Sequence, residues 1–483
     1  MHIDSRLAWL ALTWVPLTLF AAPPVLDAPP SPSEPWSLPH TEMPDDATPA
    51  TVHAVPGQRY DLASLIDMAE QLSPETREAW NEARAAAASA GIARSAYLPQ
   101  LAIDALGGVQ RTPLAAPSNL VPKGYFISDT REVIPTLTVK WLLFDFGRRD
   151  ASLDHANAMT FVANVAFTGA HQKLVYTVSH DYYALGASLG KFLATRKGEE
   201  TAQIDNDAVS ERRRRGVATS VELARSDREL AQAHFAAVRA EGVVDLGRAT
   251  LVADVGLPPG TALELTSSED EALPLPPAAT VARYVDDALS NRPDLIAAKG
   301  KIDAAEAATR EASADFRPTI SAMGQTFFNE GQLRSDGGAW SSVHEPGAAV
   351  FLQFSWNLFD GGARRSKLAL ANAERDAATD AYHQARDVAG RQVAEAFSAL
   401  KTALASAAAA REVTRTAVIA HDSALAAFRN GLATFDDLAG EANALTTAQS
   451  DEEDARANAF TAAAALALAT GQSAAASARS RQP

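Results

Sequence analysis

The sequence predicts an internally duplicated α+β membrane protein, in which each of two copies joins a pair of β-strands to a long helical hairpin. Three observations predict this fold. The second half of the chain repeats landmark residues of the first half, two long stretches lack proline, and four segments alternate between apolar and polar side chains. Because a repeat of this length is far longer than a solenoid unit, the duplicated part is a large structural element.

The offset of the repeat changes once along the chain. Pro74 and Pro99 recur 219 residues later as Pro293 and Pro318, whereas landmarks farther along recur 215 residues later. The pairs at the shorter offset include Asp145 and Asp360, Gly147 and Gly362, Gly216 and Gly431, Thr219 and Thr434, Leu223 and Leu438, and Gly256 and Gly471. The four-residue difference therefore falls in an interval that contains a predicted exposed loop, residues 112–133. Such a loop can change length at little thermodynamic cost.

Two proline-free stretches, each rich in Ala, Glu, Arg, Leu and Gln, predict long helices. Each stretch is interrupted at one equivalent glycine, Gly216 or Gly431, so we expect helical hairpins over residues 148–255 and 363–470. At about 1.5 Å per residue, the longer helix of each hairpin would extend on the order of 100 Å. A helix of that length cannot lie in one globular core and must line a long bundle or tube.

Two segments before each hairpin alternate in polarity, as a β-strand with one apolar face does. They cover residues ~99–111 and ~134–145 in the first copy, and ~318–329 and ~348–360 in the second. Segments of this kind are typical of a transmembrane barrel with lipid outside and water inside. Half-buried strands of a soluble sandwich show the same alternation and are the alternative.

Two tryptophans favour the membrane interpretation. Trp141 and Trp356 occupy equivalent positions of the repeat near strand ends, where membrane-interface aromatics are expected. Four strands are too few to close a barrel, for which about eight is the practical minimum, and open sheet edges are not tolerated in lipid. We therefore expect oligomers: a dimer would supply eight strands and a trimer twelve.

The N-terminal residues predict export. Residues 1–22 combine Arg6, an apolar run and two small residues, the order found in a cleavable signal peptide, with a buried N-terminal helix as the alternative. Residues 23–56 contain ten prolines and predict a flexible linker. No later apolar run reaches the roughly 20 residues that a membrane helix needs, so we expect any membrane crossing to use strands.

The domain organisation follows from these features. We expect a first repeat over residues 57–256 and a second repeat over residues 280–471. Residues 257–279, which are rich in proline, should form an equatorial linker that folds at mid-height of the helices, and residues 472–483 a disordered tail.

The composition argues against several classes of function. A net charge of -16 disfavours binding to nucleic acid or to an anionic membrane surface through a broad basic face. The chain has no cysteine, which excludes disulfides, thiolate metal sites and a lipid-modified N-terminal cysteine. It carries no nucleophile elbow, phosphate loop or zinc motif, and its ten histidines are scattered. We expect no enzymatic activity, no cofactor and no metal.

Three motifs recur in both halves with matching order and spacing. They are Tyr97-Leu98-Pro99 with Phe316-Arg317-Pro318, Leu143-Phe144-Asp145-Phe146-Gly147 with Leu358-Phe359-Asp360-Gly361-Gly362, and the Gly-x-x-Thr turns at Gly216 and Gly431. Together they resemble the TolC family of outer-membrane efflux and secretion channels, over about residues 60–471. The resemblance implies a homotrimer whose twelve-stranded outer-membrane barrel is continued by a long periplasmic α-helical barrel.

The resemblance also implies a function. The chain would be a passive outer-membrane exit duct that carries substrates from an inner-membrane transporter and a periplasmic membrane-fusion adaptor to the exterior. Efflux of small toxic compounds is the first expectation and type I protein secretion the alternative, while a soluble periplasmic adaptor is a rival from a different class. The implied partners are two further copies of the chain, the adaptor, the transporter and outer-membrane lipid.

The turns of the two hairpins are the candidate functional site. Gly216 suits the left-handed conformation that ends a helix, and Thr219 with Glu222, like Thr434 with Asp437, matches a capping box. The resemblance implies that these tips contact the adaptor. The candidate adaptor-contacting residues are Arg215, Gly216, Val217, Ala218, Thr219, Gly431, Leu432, Ala433 and Thr434. The arginine run before the first glycine can instead be a solvated face at a helix C-terminus.

The resemblance further implies a periplasmic gate near the tips, which the family closes with acidic side chains and bonds between helices. The candidate gate residues are Glu222, Phe428, Asp436 and Asp437. The family latch cannot form here because Phe428 lacks a tyrosine hydroxyl and Ala433 lacks a guanidinium group. Gly440 also stands where a second acid is expected. We therefore expect a gate held by packing and by fewer polar bonds.

Overall fold

The structure is a computed structural model. It describes residues 57–119, 121–266 and 271–472, together with Val55. The predicted signal peptide, nearly all of the predicted proline-rich linker and the predicted tail beyond Gln472 lie outside the described residues.

The described elements alternate between helices and strands in the order that the duplication predicts. In chain order they are β1 (Arg59–Tyr60), α1 (Leu62–Leu72), α2 (Pro74–Ser95), β2 (Gln100–Ala115), β3 (Tyr125–Phe144), α3 (Arg148–Arg214), α4 (Ser220–Val255), β4 (Glu264–Leu265), α5 (Val281–Asn291), α6 (Pro293–Ala314), β5 (Thr319–Ser335), β6 (Ser341–Ser355), α7 (Ala363–Arg429) and α8 (Phe435–Ala469). Both α3 and α7 have 67 residues, and α4 and α8 have 36 and 35. The two hairpins therefore agree in length, as copies of one element should.

Four strands form one antiparallel sheet in the order β2-β3-β5-β6. The strands run farther from the helices than the alternation predicts. Most of the predicted loop 112–133 is strand, and only residues 116–124 connect β2 to β3. At the other end, β6 stops at Ser355, short of the predicted ~360, because its neighbour β5 begins at Thr319 and offers no further residue for pairing. The observed strands therefore correct the sequence-based bounds at the far end of all four strands and at the near end of β6.

The loops at the far end of the sheet account for the change of repeat offset. The β2–β3 connection covers residues 116–124 and the β5–β6 connection residues 336–340, so the first is four residues longer. The shorter loop is a tight turn in which Asp336 and Gly337 both have positive φ, 49° and 77°. The Asp336 carboxylate accepts a hydrogen bond from the Ile127 amide at 2.8 Å, which stabilises this uncommon conformation.

The long helix α3 is covered by different helices along its length. Near its start, His155 Nδ1 lies 2.9 Å from the Ala304 carbonyl of α6. Nearer its end, Asn206 donates a 3.1 Å hydrogen bond to the Ser226 hydroxyl of α4. The helix α8 also approaches closely, since a Cβ at Gly198 would lie 2.8 Å from the Thr446 hydroxyl. Two shorter helices, α6 and α4, therefore pack against successive parts of one long helix.

The helices bury narrow seams of small and aliphatic residues. Ala237, Val244 and Leu251 of α4 are buried at intervals of seven, and so are Leu400 and Ala407 of α7. A seven-residue interval keeps a seam facing its partner helix in a left-handed supercoil. Within the described residues, no helix combines the length and the apolarity needed to span a membrane.

The largest apolar core lies where the two repeats meet. It contains Leu65 of α1, Val178 of α3, Leu251 of α4 and Phe460 of α8, together with Tyr60 of β1. The residues after α4 contribute the strand β4, which pairs in parallel with β1. This pairing joins the start of the first repeat to the connection between the repeats, next to the apolar core.

The joint between each strand pair and its long helix is built twice in the same way. Asp145 accepts hydrogen bonds from the backbone and side chain of Arg149 at 2.9 and 3.1 Å, and Asp360 does so from Arg364 at 3.1 and 2.7 Å. The two arginines also donate to carbonyl groups at the end of the preceding helix or strand. The aspartates belong to the repeated motif in the sequence, whereas the arginines are not among the predicted residues, although the 215-residue offset relates them to each other.

The predicted membrane-interface tryptophans belong to the same joints. The Trp141 indole donates a hydrogen bond to the Tyr97 carbonyl at 2.9 Å, and the Trp356 indole donates to the Phe316 carbonyl at 3.1 Å. Both side chains remain substantially exposed. Each tryptophan therefore ties the strand pair to the end of the preceding helix, and its position at a membrane interface stays a prediction.

Candidate functional site at the hairpin tips

Each hairpin tip turns on a glycine in the left-handed conformation. Gly216 has φ 76° and Gly431 has φ 73°. The next residue closes the helix end in both tips: the Val217 amide donates to the Arg212 carbonyl at 3.0 Å, and the Leu432 amide donates to Ala427 at 2.9 Å. A side chain at either glycine would be strained by φ alone. The duplicated glycines are therefore required by the turn.

The helices that follow the turns start with capping boxes, as predicted. The Glu222 amide donates to the Thr219 hydroxyl at 3.1 Å, and the Thr219 amide donates to the Glu222 carboxylate at 2.6 Å. In the second tip the same two bonds join Thr434 and Asp437 at 3.2 and 2.9 Å. The Thr434 hydroxyl adds a further bond of 2.7 Å to Asp437.

These caps commit two of the candidate gate carboxylates to their own helices. Hydrogen bonds from the backbone and side chain of Thr219 lower the pKa of Glu222, and nearby Arg212 and Arg225 lower it further. The Thr434 side chain and backbone lower the pKa of Asp437 in the same way. Both carboxylates are thus stabilised as anions, and each has one oxygen atom bonded by the threonine of its own helix start.

A small apolar cluster holds the two tips together. Phe428 is 6 % exposed and packs with Phe435, Leu438, Val209 and Ala218. The two phenylalanine rings meet edge to face, with centroids 6.3 Å apart. The cluster joins the end of α3 and the first turn to α7 and α8, so packing links both hairpins, as expected for a residue without the tyrosine hydroxyl.

One ion pair bridges the hairpins beside this cluster. Arg225 of α4 donates to the Asp436 carboxylate of α8. Farther along the same two helices, the Asn443 amide donates to the Glu229 carboxylate at 3.3 Å. Asp436 is therefore a cross-hairpin contact, in contrast to Asp437, which caps its own helix.

The arginine run at the first tip is divided between two kinds of contact. The Arg212 guanidinium lies over the Phe428 ring, 4.8 Å from its centroid, and covers the apolar cluster. Arg214 and Arg215 both pair with Glu211, at 2.6 and 2.9 Å. Their side chains are 75 % and 71 % exposed, so most of their surface faces solvent.

The apex of each tip exposes an aliphatic side chain. Val217 is 65 % exposed and Leu432 is 83 % exposed. Ala218 and Phe428, only one and four residues away from them, are buried. Each tip therefore has a packed inner side and an exposed apolar outer point.

Three contributors to this site are not among the residues and contacts that the sequence predicts. They are Arg225, Phe435 and the contact of Arg212 with the Phe428 ring. The repeat gives no signal for the ion pair, because the counterparts of Arg225 and Asp436 are Gly440 and Val221. Phe435 directly follows the predicted N-cap Thr434, and nothing in the sequence distinguishes it as a contact between the hairpins.

The fold and the tips have counterparts in known proteins. The family model described as outer membrane efflux protein matches residues 65–257 and 284–472. The chain belongs to this family. Its members are trimeric outer-membrane channels that work with adaptors and inner-membrane transporters. The chain is therefore an outer-membrane exit duct with a large periplasmic part, and neither an enzyme nor a soluble adaptor.

Individual relatives are similar over most of their length. Protein CyaE of Bordetella pertussis is 27% identical over 394 residues, which cover 80% of this chain and 76% of the relative. Outer membrane protein OprJ of Pseudomonas aeruginosa is 27% identical over 361 residues, covering 71% and 69%. The antibiotic efflux pump outer membrane protein ArpC of Pseudomonas putida is 24% identical over 314 residues, covering 64% and 62%.

Solved structures agree with the described fold. The outer-membrane channel OprN superposes with a TM-score of 0.72 at 21% identity, covering 85% of this chain and 89% of that chain. The outer membrane protein VceC of Vibrio cholerae superposes with a TM-score of 0.70 at 20% identity, covering 85% and 96%. The predicted α+β architecture, a trimeric barrel continued by a helical barrel, is confirmed.

Proposed function

We propose that this duct carries small toxic compounds. The support comes from relatives whose names describe efflux of such compounds, ArpC among them. The hairpin tips supply the structural support for a role in such a duct. Each tip has a packed inner side and an exposed outer point, an arrangement that is suited to a gate next to a docking surface.

Deletion of the gene in its native host tests the cargo. We expect greater sensitivity to dyes, antibiotics and solvents, restored by a plasmid copy, with an unchanged set of proteins in the culture medium. Loss of one secreted protein with unchanged drug sensitivity would support type I secretion instead and would contradict the proposal.

We further propose that the outer points of both tips contact the periplasmic adaptor. Val217 and Leu432 are exposed apolar side chains on turns with fixed backbone geometry. Exposed aliphatic groups on a rigid turn are suited to insertion between partner helices. The neighbouring Arg215, Gly216, Ala218 and Thr219, with Gly431, Ala433 and Thr434, shape the same two turns.

The absence of cysteine from the sequence makes this contact easy to test. Val217→Cys and Leu432→Cys each place a single thiol at one apex, and a bifunctional cross-linker should join either variant to the adaptor in cells. Ile92→Cys is the matched control, because Ile92 is 73% exposed on α2, away from both tips. Cross-linking from Ile92→Cys alone would place the adaptor elsewhere and contradict the proposal.

The gate is proposed to be closed by the cluster around Phe428 and by the Arg225–Asp436 ion pair. Both contacts join the first hairpin to the second, so separation of the hairpins must break them. Glu222 and Asp437 contribute indirectly, because they cap the starts of α4 and α8. These two helix starts carry Arg225 and Asp436. Asp437→Ala should therefore loosen the start of α8 by removing its cap.

Export and assembly complete the proposal. We propose that residues 1–22 are a cleavable signal peptide, that the mature N-terminus carries no lipid on cysteine, and that Trp141 and Trp356 of each copy in the trimer lie near the membrane interface. N-terminal sequencing of the purified channel tests the cleavage. An uncleaved Met1 would contradict the first point.

A further inference from the structure

A row of charged side chains crosses the sheet at its far end. Arg111 of β2 is directly opposite Asp129 of β3, and Asp129 is directly opposite Arg334 of β5. Residues directly opposite each other in an antiparallel sheet project from the same face. The Arg334 guanidinium donates to the Asp129 carboxylate at 2.8 Å, and that of Arg111 lies 3.8 Å away.

This row belongs to the apolar face of the sheet. Side chains two residues apart on a strand share a face, so Arg111 projects with Ile103 and Val109, both 79 % exposed. Arg131, which is directly opposite Val109, projects from the same face. In the barrel this apolar face contacts lipid, and the arginines lie at the end of it that is away from the periplasmic helices.

The side chain of Trp340 contacts two of these arginines. The guanidinium groups of Arg131 and Arg334 both lie over the Trp340 ring, 4.5 and 4.7 Å from its centroid. Trp340 ends the β5–β6 loop, so the loop holds two cations against one indole. Tryptophan is favoured at the depth of lipid headgroups, where one side of the ring is apolar and the other wet.

The charges of this cluster are unbalanced. The carboxylate of Asp129 pairs with the guanidinium groups of Arg111 and Arg334, whereas that of Arg131 contacts only the Trp340 ring among these side chains. Closer to the membrane centre on the same face, Glu330 and His344 form a one-to-one pair at 2.9 Å. The surplus is positive in a chain whose net charge is -16. An anion is therefore the missing partner at this level of the sheet.

We propose that Arg111, Arg131 and Arg334, with Trp340, bind the phosphate groups of lipids in the outer leaflet. Guanidinium groups form paired hydrogen bonds with phosphate, and adjacent outward-facing arginines can hold two phosphates of one headgroup. The site is distinct from the hairpin tips and does not depend on the adaptor or the cargo. It would fix the depth and orientation of the barrel in the membrane.

Lipid binding by the purified full-length channel tests this site. The probes are diphosphorylated lipid A, the same lipid without its phosphates, and inorganic phosphate, with retention measured by native mass spectrometry. Arg111→Gln with Arg131→Gln keeps the Asp129–Arg334 bond and should weaken binding of the phosphorylated lipid about tenfold. Arg283→Gln with Arg391→Gln is the control, because it removes the same charge from exposed positions on the helices.

The wild-type channel should also prefer the phosphorylated lipid to the dephosphorylated one, and this measurement needs no variant. Equal affinity for the two lipids, or equal affinity of the wild type and the Arg111/Arg131 variant, would overturn the proposal. Binding of inorganic phosphate without a preference between the lipids would assign the cluster to a free anion and would also overturn it.

Discussion

The two hairpin tips share a backbone conformation but differ in their aromatic side chains and in most of their charged side chains. Both turn on a left-handed glycine and restart the chain with a threonine capping box. The first tip carries four consecutive arginines, whereas the second supplies the phenylalanines and two aspartates. At the offset of the repeat, Phe428 corresponds to Arg213 and Phe435 to Ser220.

The comparison shows that the two copies have kept the same backbone turn, whereas their side-chain contacts have diverged. Six hairpins must fit around one tube with the same backbone geometry, so turn geometry and helix starts are constrained in both copies. Contacts between hairpins need only one copy of each group, because a pair such as Arg225 and Asp436 uses one side chain from each repeat. The tips are therefore complementary to each other and are no longer equivalent.

The largest difference between the tips should follow removal of the buried ring. Phe428→Ala should destabilise the second tip by about 3 kcal/mol, since it removes a buried aromatic side chain and leaves a cavity. The repeat-equivalent change, Arg213→Ala in the first tip, should cost less than about 0.5 kcal/mol, the usual effect at a surface position. Hydrogen–deuterium exchange of tip amides measures both; equal effects would contradict the asymmetry.

A smaller effect should be the same in both tips. Thr219→Ala and Thr434→Ala each remove a capping hydroxyl, so each should destabilise the local helix start by about 1 kcal/mol. The amides of the first helical turn should exchange about fivefold faster in either variant. Thr219→Ser and Thr434→Ser retain the hydroxyl and should exchange like the wild type. A large effect in only one tip would show that the caps are not equivalent.

The smallest effect concerns a carboxylate pair that only the first repeat possesses. The hydrogen bond that protonated Asp254 donates to the Asp181 carboxylate, then burial and the charge of Asp181, raise the pKa of Asp254 to about 6, while His180 opposes the shift. The positions that correspond to Asp181 and Asp254 in the second repeat are Ala396 and Ala469.

The sign of the pH effect follows from the raised pKa. Between about pH 4 and 6 the folded protein keeps a proton that the unfolded chain has released, so the stabilisation is complete below that range and lost as the pH rises through 6. Exchange near the end of α4, corrected for its intrinsic rate, should therefore be faster at pH 7.5 than at pH 5, whereas the end of α8 should not change. Asp254→Asn should abolish the difference; persistence of the difference in that variant would exclude the pair as its cause.

Local features of the fold could be predicted from the sequence. The predicted ends of the helical hairpins lie within one residue of the observed ends, because glycine turns and capping boxes are encoded within a few residues. Strand ends were harder to predict. Arg111, Thr112 and Pro113 interrupt the apolar alternation, yet β2 continues to Ala115 because each residue has a partner on β3.

The candidate site also contains one contact that the sequence predicts and one that it does not. The capping role of Asp437 was predictable because its partner is three residues away, whereas Asp436 and Arg225 lie 211 residues apart. No pattern or repeat relates that pair, since their counterparts are an aliphatic residue and a glycine. Only the packing of α4 beside α8 brings the charges together.

Single-channel conductance in planar bilayers tests most directly whether contacts between the two unlike tips close the duct. Arg225→Asp and Asp436→Arg each place like charges side by side, so each variant should conduct several-fold more than the wild type. The exchanged pair, Arg225→Asp with Asp436→Arg, restores opposite charges and should return the channel to low conductance. Low conductance in both single variants, or high conductance in the exchanged pair, would contradict this account of the gate.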